Sequence, residues 1–247
     1  HQDRNYLRHE VLPRLAARWP RAAESLTRSA ALAAEAEGLL GELAELDLAR
    51  LGGDPARLAV AELGALSRPR RRLLVRHAAL QLGLPLPPAR RLAELLSQLE
   101  ARRDAEACVA WPGGEARIWR GELHLLVPLP ALPGDWACRW DGTSPLSTHL
   151  GVCDLRLAGP PQAAGALVLR PRRGGERLRL AGRGSRDLKR LLQELAVPPW
   201  ERQRLLVVWQ GETAVALLDP VGERWLALAE GWRAQAGESA REKPAAC

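Results

Sequence analysis

A chain of 247 residues, 47% of them hydrophobic, is long enough for two domains with separate cores, built from Leu, Val, Ala and nine Trp because Phe and Met are absent. No apolar run approaches the roughly 20 residues that cross a bilayer and no signal-like segment is present, so the protein is expected to be soluble and cytoplasmic, without a membrane partner. The net charge of +7 rests almost wholly on Arg, with Lys only at Lys189 and Lys243, an imbalance that a GC-rich genome produces as readily as function does.

The chain begins with His1 and contains no Met, so it is expected to be the C-terminal portion of something longer. From Pro20 to Leu51, Leu32, Ala36, Leu39, Leu43 and Leu46 recur at three- and four-residue intervals, which predicts one long helix ending at Gly52-Gly53-Asp54-Pro55. Two further helices are expected, over Val60–Leu82 and Pro87–Ala101, the second opening on Pro87-Pro88, where a missing N–H costs little. After Cys108 the stretch "CVAWPGGEARIWRGELHLLVP" alternates short apolar runs with Gly-containing turns, the pattern of two or three antiparallel strands.

Residues 126–164 are rich in Pro, Gly and Ala and read as a bridge. Beyond them "LVLRPRRGGERLRL" predicts a hairpin, Arg186–Ala196 a helix, and "RLLVVWQGETAVALL" a second hairpin turning at Gln210-Gly211-Glu212. The fold class is therefore α+β: a helical body ending in short strands over 20–125, then a small α+β domain over 165–235. Residues 1–19 are expected to form a linker and 236–247 a disordered tail.

Charge is concentrated near the C-terminus. Residues 165–210 hold ten Arg and Lys189 against four carboxylates, a surplus of seven that equals the charge of the whole chain. In the expected helix, Leu188, Leu191, Leu192 and Leu195 form the buried stripe, and Ser185 stands where an N-cap belongs. Arg186, Lys189 and Arg190 would then crowd a helix N-terminus, where cations oppose the macrodipole. A phosphate there would reverse that balance. Arg183 adjoins the same end, Arg170, Arg172 and Arg173 lie in the preceding hairpin, and Arg202 and Arg204 follow the helix, so a row of phosphates is the ligand this set implies. The competing reading is a solvated basic face. Trp200, after Pro198-Pro199, reads as a core plug rather than a platform for a base.

His9, His77, His124 and His149 are scattered, and Cys108, Cys138, Cys153 and Cys247 form no CxxC pair. No catalytic constellation, metal site or disulfide pattern is therefore expected, and the thiols are read as reduced and structural. The Gly pairs in "PGGEAR" and "RRGGERL" lack the strand, loop and helix context that a triphosphate requires.

Two separated segments carry a resemblance. "LRPRRGGERLRL" and "LKRLLQELAVPPWERQRLLVV" resemble the C-terminal domain of the tRNA(Ile)-lysidine synthetase family. "RNYLRHEVLPRL", with the helix-forming "WPRAAESLTRSAALAAEAEGLLGELAELDL", is similar to the segment by which that family leaves its catalytic domain. The resemblance implies an ATP-dependent carbon–nitrogen ligase that adenylates the wobble cytidine of tRNA(Ile) with a CAU anticodon and then joins lysine to its C2, so that AUA is read in place of AUG. It implies ATP with Mg and lysine as substrates of an N-terminal domain whose Ser-Gly-Gly-x-Asp-Ser loop this sequence does not contain. The 247 residues are then the tRNA-recognition portion, binding none of these cofactors and inactive alone.

By the same resemblance Arg4, Asn5 and Arg8 lie at the rim of the catalytic pocket, against a plainer role as a staple for the linker. "SRPRRRLLVR", from Ser67 to Arg76, faces tRNA, against a plainer role as a solvated helix start. Two other classes remain open: a free-standing nucleic-acid-binding module without catalytic activity, and an interaction fragment in which the long helix self-associates. The oligomeric state is open, a dimer included.

Overall fold

The computed structural model describes residues 2–101, 107–148, 150–161 and 165–236, so His149, Cys247 and the expected tail from residue 237 onward lie outside the described residues. The chain divides into two compact units, residues 1–128 and 129–247. Mixed helices and sheets make it α+β, as expected.

The first unit opens with α1 (Gln2–Tyr6), a π-helical turn (Leu7–Val11) and α2 (Leu12–Arg18). The long helix α3 (Ala22–Arg50) follows, and its 29 residues span roughly 43 Å at 1.5 Å each. Only Ala44, Asp47 and Leu48, in its last two turns, are buried. Leu32, Leu39 and Leu46, which set the helical period, are each about 60% exposed, so the repeat specifies the helix without specifying a partner for it.

After β1 (Arg57–Ala59) the expected helix over Val60–Leu82 is two helices, α4 (Val60–Ala65) and α5 (Arg68–Gln81). Pro69 explains the break, since in a continuous helix its ring would meet the carbonyl four residues earlier. Leu66 and Ser67 are extended instead, and Arg71 reaches back to the carbonyls of Leu66 (2.8 Å) and Gly64. Arg70 donates to the fully buried Asp47 (Nε to Oδ2, 2.9 Å), pinning α5 to the end of α3. Helix α6 (Ala89–Ala101) precedes β2 (Ala107–Trp111), β3 (Gly114–Trp119) and β4 (Glu122–Leu126). These strands form an antiparallel sheet in the order β1-β4-β3-β2, whose inward Leu58, Val109, Ile118 and Leu123 meet Leu74, Leu92 and Leu96 of the helices.

Between β2 and β3 the Gly113-Gly114 turn has a steric cause. A Cβ on Gly114 would lie 2.5 Å from the Trp111 ring, and that ring is held by its Nε1–H donating to the Pro85 carbonyl at 2.7 Å. Gly114→Ala should therefore destabilise the unit by about 1–3 kcal/mol through overpacking. Urea unfolding of variant and parent measures it.

The stretch expected as a bridge supplies strands to the second unit: β5 (Cys138–Trp140), β6 (Leu146–Thr148), β7 (Gly151–Cys153) and β8 (Leu155–Ala158). Then come β9 (Leu167–Pro171), β10 (Arg177–Leu180), β11 (Gly184–Asp187), α7 (Leu188–Glu194), α8 (Pro199–Arg202), β12 (Leu206–Gln210), β13 (Thr213–Asp219), β14 (Arg224–Leu228) and β15 (Arg233–Ala236). The main sheet runs β14-β13-β12-β9-β5, and β15 pairs with β8. The hairpin at Gln210-Gly211-Glu212 forms as expected, with Gly211 at φ +56°. The first expected hairpin does not form. β9 pairs with β12 and β5, while β10 pairs with β11, because the chain leaves the sheet after Pro171 through Gly174 and Gly175, both at positive φ.

The core of this unit gathers Leu169, Leu206, Val208, Leu218 and Trp140 with Leu188, Leu191 and Leu192 of α7. Cys153 belongs to it. Its thiol donates to the Pro220 carbonyl at 3.0 Å, and burial pushes its pKa up to about 11, the state of an inert thiol.

Candidate nucleic-acid interface

The basic surface of the second unit grows out of strand alternation. In β10 Leu178 points into the core, so Arg177 and Arg179 point out, and β11 sets Asp187 opposite Arg177 and Ser185 opposite Arg179, with the exposed Arg186 between them. Arg177 donates to Ser185 Oγ at 3.0 Å, which gives Ser185 a role other than the expected N-cap. The cap is Asp187. Its Oδ1 accepts from the backbone N–H groups of Lys189 (2.7 Å) and Arg190 (3.3 Å), and α7 starts at Leu188 rather than Arg186 because the residues before it are strand.

This corrects the expected phosphate at the helix N-terminus. The N–H groups assigned to an anion are already satisfied by a carboxylate, which also balances the dipole against Lys189 and Arg190. What the residues form instead is a cleft of about 490 Å³ lined by Arg177, Ser185, Arg186, Asp187, Lys189, Arg190 and Gln193. Four exposed cations surround one carboxylate engaged in capping, so the cleft keeps a local surplus of positive charge. Because Asp187 lowers that surplus, Asp187→Ser should keep the cap and bind a polyanion a few-fold more tightly, with stability shifted by less than about 0.5 kcal/mol. Fluorescence anisotropy with labelled RNA and a thermal melt check both halves.

The other expected residues divide. Arg170 and Arg173 are exposed, and Arg173 also donates to the Gly134 carbonyl at 2.9 Å. Arg183 is exposed and lies 3.6 Å from Glu194. Arg172 turns inward to 3.8 Å from the buried Glu176, Arg202 Nε donates to the Val197 carbonyl at 2.8 Å, and Arg204 is 8% exposed. These three act within the fold, a distinction that charge counting does not make. Arg177 lines the cleft and lies outside the expected set, although the alternation of "RLRL" carries its signal; Arg179 is turned outward too and lies 3.3 Å from Glu230. Trp200 is half-buried in α8, short of a full core position.

In the first unit, Arg4, Asn5 and Arg8 are exposed on α1 and the π turn. Within "SRPRRRLLVR", Arg70 and Arg71 serve the fold, whereas Arg68, Arg72 and Arg76 are exposed at four-residue intervals along one face of α5, about 6 Å apart in rise. His77 meets Glu45 at 2.9 Å, and His124 is buried near Trp119 with its pKa lowered by desolvation. Among the described residues no group of three His, Cys, Asp or Glu could hold a metal ion, and no helix is long and apolar enough to cross a membrane.

Residues 58–124, covering α4 to β4, match the family model described as the TilS substrate binding domain, and residues 167–239 match the TilS substrate C-terminal domain. The chain belongs to the TilS family. A tRNA(Ile)-lysidine synthase of Xanthomonas axonopodis pv. citri is 41% identical over 95% of this chain and 56% of its own length. Proteins of the same name from Methylococcus capsulatus and Alkalilimnicola ehrlichii are 37% and 43% identical over 83% and 87% of this chain. The chain spans about half the length of these relatives. The two matched segments fall one in each compact unit, and the second contains the whole of the basic cleft.

Proposed function

We propose that the chain is the tRNA-recognition portion of a tRNA(Ile)-lysidine synthetase. It grips tRNA(Ile) with a CAU anticodon for an ATP-dependent ligase domain that joins lysine to the wobble cytidine, in the cytoplasm. The observation that carries this reading is the cleft of Arg177, Arg186, Lys189 and Arg190, exposed cations in a segment of a family described by its substrate. Phosphates supply most of the affinity for such a surface, and duplex RNA offers it shape and backbone rather than base edges.

ATP with Mg and lysine are assigned to that other domain. The Gly pairs in "PGGEAR" and "RRGGERL" do not fit a triphosphate: Gly113-Gly114 is filled by the Trp111 ring, and the N–H of Gly174 is taken by both carboxylate oxygens of Glu176, at 2.8 and 2.9 Å. Arg4, Asn5, Arg8 and the α5 stripe are proposed as further tRNA contacts, and the oligomeric state follows from the intact protein.

Competition binding tests the reading. The chain should prefer tRNA(Ile) over the methionine tRNA that carries the same CAU anticodon by about ten-fold or more, a difference that one or two specific contacts supply. Equal affinity for both, with strong salt sensitivity, favours a free-standing nucleic-acid module.

A further inference from the structure

A second cleft in the same unit, of about 290 Å³, is lined by Arg170, Pro171, Arg173, the Gly174-Gly175 pair, Glu176 and Trp209. Its chemistry differs from that of the basic cleft. Glu176 is 8% exposed and its carboxylate accepts from the backbone N–H groups of Arg173 and Gly174. A phosphate inside would meet that negative charge, whereas Arg170 and Arg173 at the margin attract one outside. The volume lies at the small end of ligand clefts, enough for a single flat ring system and far too small for a helix.

Trp209 supplies the surface for such a ring. It sits half-buried on β12, a strand paired on both sides, opposite Val168 of β9 and Ala214 of β13. The pairing with β13 is bulged between Val208 and Trp209, a device that re-aims a side chain. Paired residues share a face, so Arg139, Val168 and Trp209 form one cross-strand row, with Arg170 in the row beside it. Over the mouth, a Cβ built at Gly174 or Gly175 meets nothing within 4 Å, so the cleft is open.

We propose that this cleft takes one unpaired nucleotide of the bound RNA, its base stacked on Trp209 and its flanking phosphates held by Arg170 and Arg173. Bases within a duplex are closed to such contact, so the ligand must present a single-stranded end or loop. The proposal rests on the reading that this unit binds tRNA, and it adds that part of the recognition is of unpaired RNA.

The 247-residue chain is titrated with a blunt RNA duplex and with the same duplex carrying a single-stranded 3′ extension, AMP serving as competitor. The parent should prefer the extended duplex by about ten-fold, and Trp209→Ala should lose that preference while keeping its affinity for the blunt one. Trp209→Phe, which retains a ring and guards against misfolding, should keep most of the preference, and the exposed Arg170→Ala should reduce it. If the parent binds both duplexes alike, or Trp209→Ala loses both equally, the stacking site is wrong and the tRNA reading stands. Displacement of the extended duplex by micromolar AMP would make the ligand a free nucleotide and overturn the proposal, and binding of neither RNA removes both readings.

Discussion

Replacing Arg186, Lys189 and Arg190 together by Glu should weaken tRNA binding by about a hundred-fold or more at low salt. All three side chains are exposed and line the basic cleft, so each lost cation forfeits a phosphate contact and each new carboxylate adds repulsion. The salt dependence should fall in step, the slope of log affinity against log salt becoming shallower by roughly two to three. Folding should be unchanged, because Asp187 still caps α7 and the buried Leu188, Leu191 and Leu192 are untouched. Filter binding across a salt series, with circular dichroism as the folding control, gives the answer; equal affinity in parent and variant returns the three residues to a solvated face.

Glu176→Ala should cost the second unit about 3–5 kcal/mol. The buried carboxylate accepts from Arg173 and Gly174 and lies 3.8 Å from the inward-turned Arg172, while its own backbone carbonyl accepts from Leu188 N–H at 2.9 Å. Truncation leaves two N–H groups without their acceptor and the Arg172 guanidinium without its counter-charge. Glu176→Gln keeps the shape and one oxygen, and should cost about 1–3 kcal/mol. Chemical denaturation followed by tryptophan fluorescence separates the two, and equal stability of Glu176→Ala and the parent would mean that the loop is not anchored by this residue.

Much of the first unit was legible because its signals are periodic. The α3 repeat and the alternation in "CVAWPGGEARIWRGELHLLVP" give the right element types, with ends displaced by one or two residues. The split between α4 and α5 was also readable, at Pro69, but the apolar period of Val60–Leu82 runs across it and hides the break. Exposure was not readable: the Leu positions of α3 have a helical period and still face solvent.

In the second unit the difficulty was pairing. "LVLRPRRGGERLRL" holds two strands and a Gly-Gly turn, yet β9 finds its partners at residues 138–140 and 206–210, and pairing at such separations leaves no local mark. The same limit makes residues 138–158 resemble a bridge, since strands of three or four residues bounded by Pro and Gly carry little pattern. For the candidate site, charge counting located the segment, but not which cations it uses. Arg172, Arg202 and Arg204 have the same composition signal as Arg186 and Arg190 and opposite surroundings. Asp187 was the decisive residue, because its carboxylate satisfies the N–H groups assigned to phosphate and turns a helix-end site into a side-chain cleft.

The central claim, that an exposed cationic surface grips tRNA through its phosphates, is tested most directly by titrating the unmodified chain with tRNA(Ile) at increasing salt. Log affinity should fall linearly with log salt, with a slope of about −3 or steeper, as several neutralised phosphates require. A flat dependence, or no binding in dilute buffer, would contradict it.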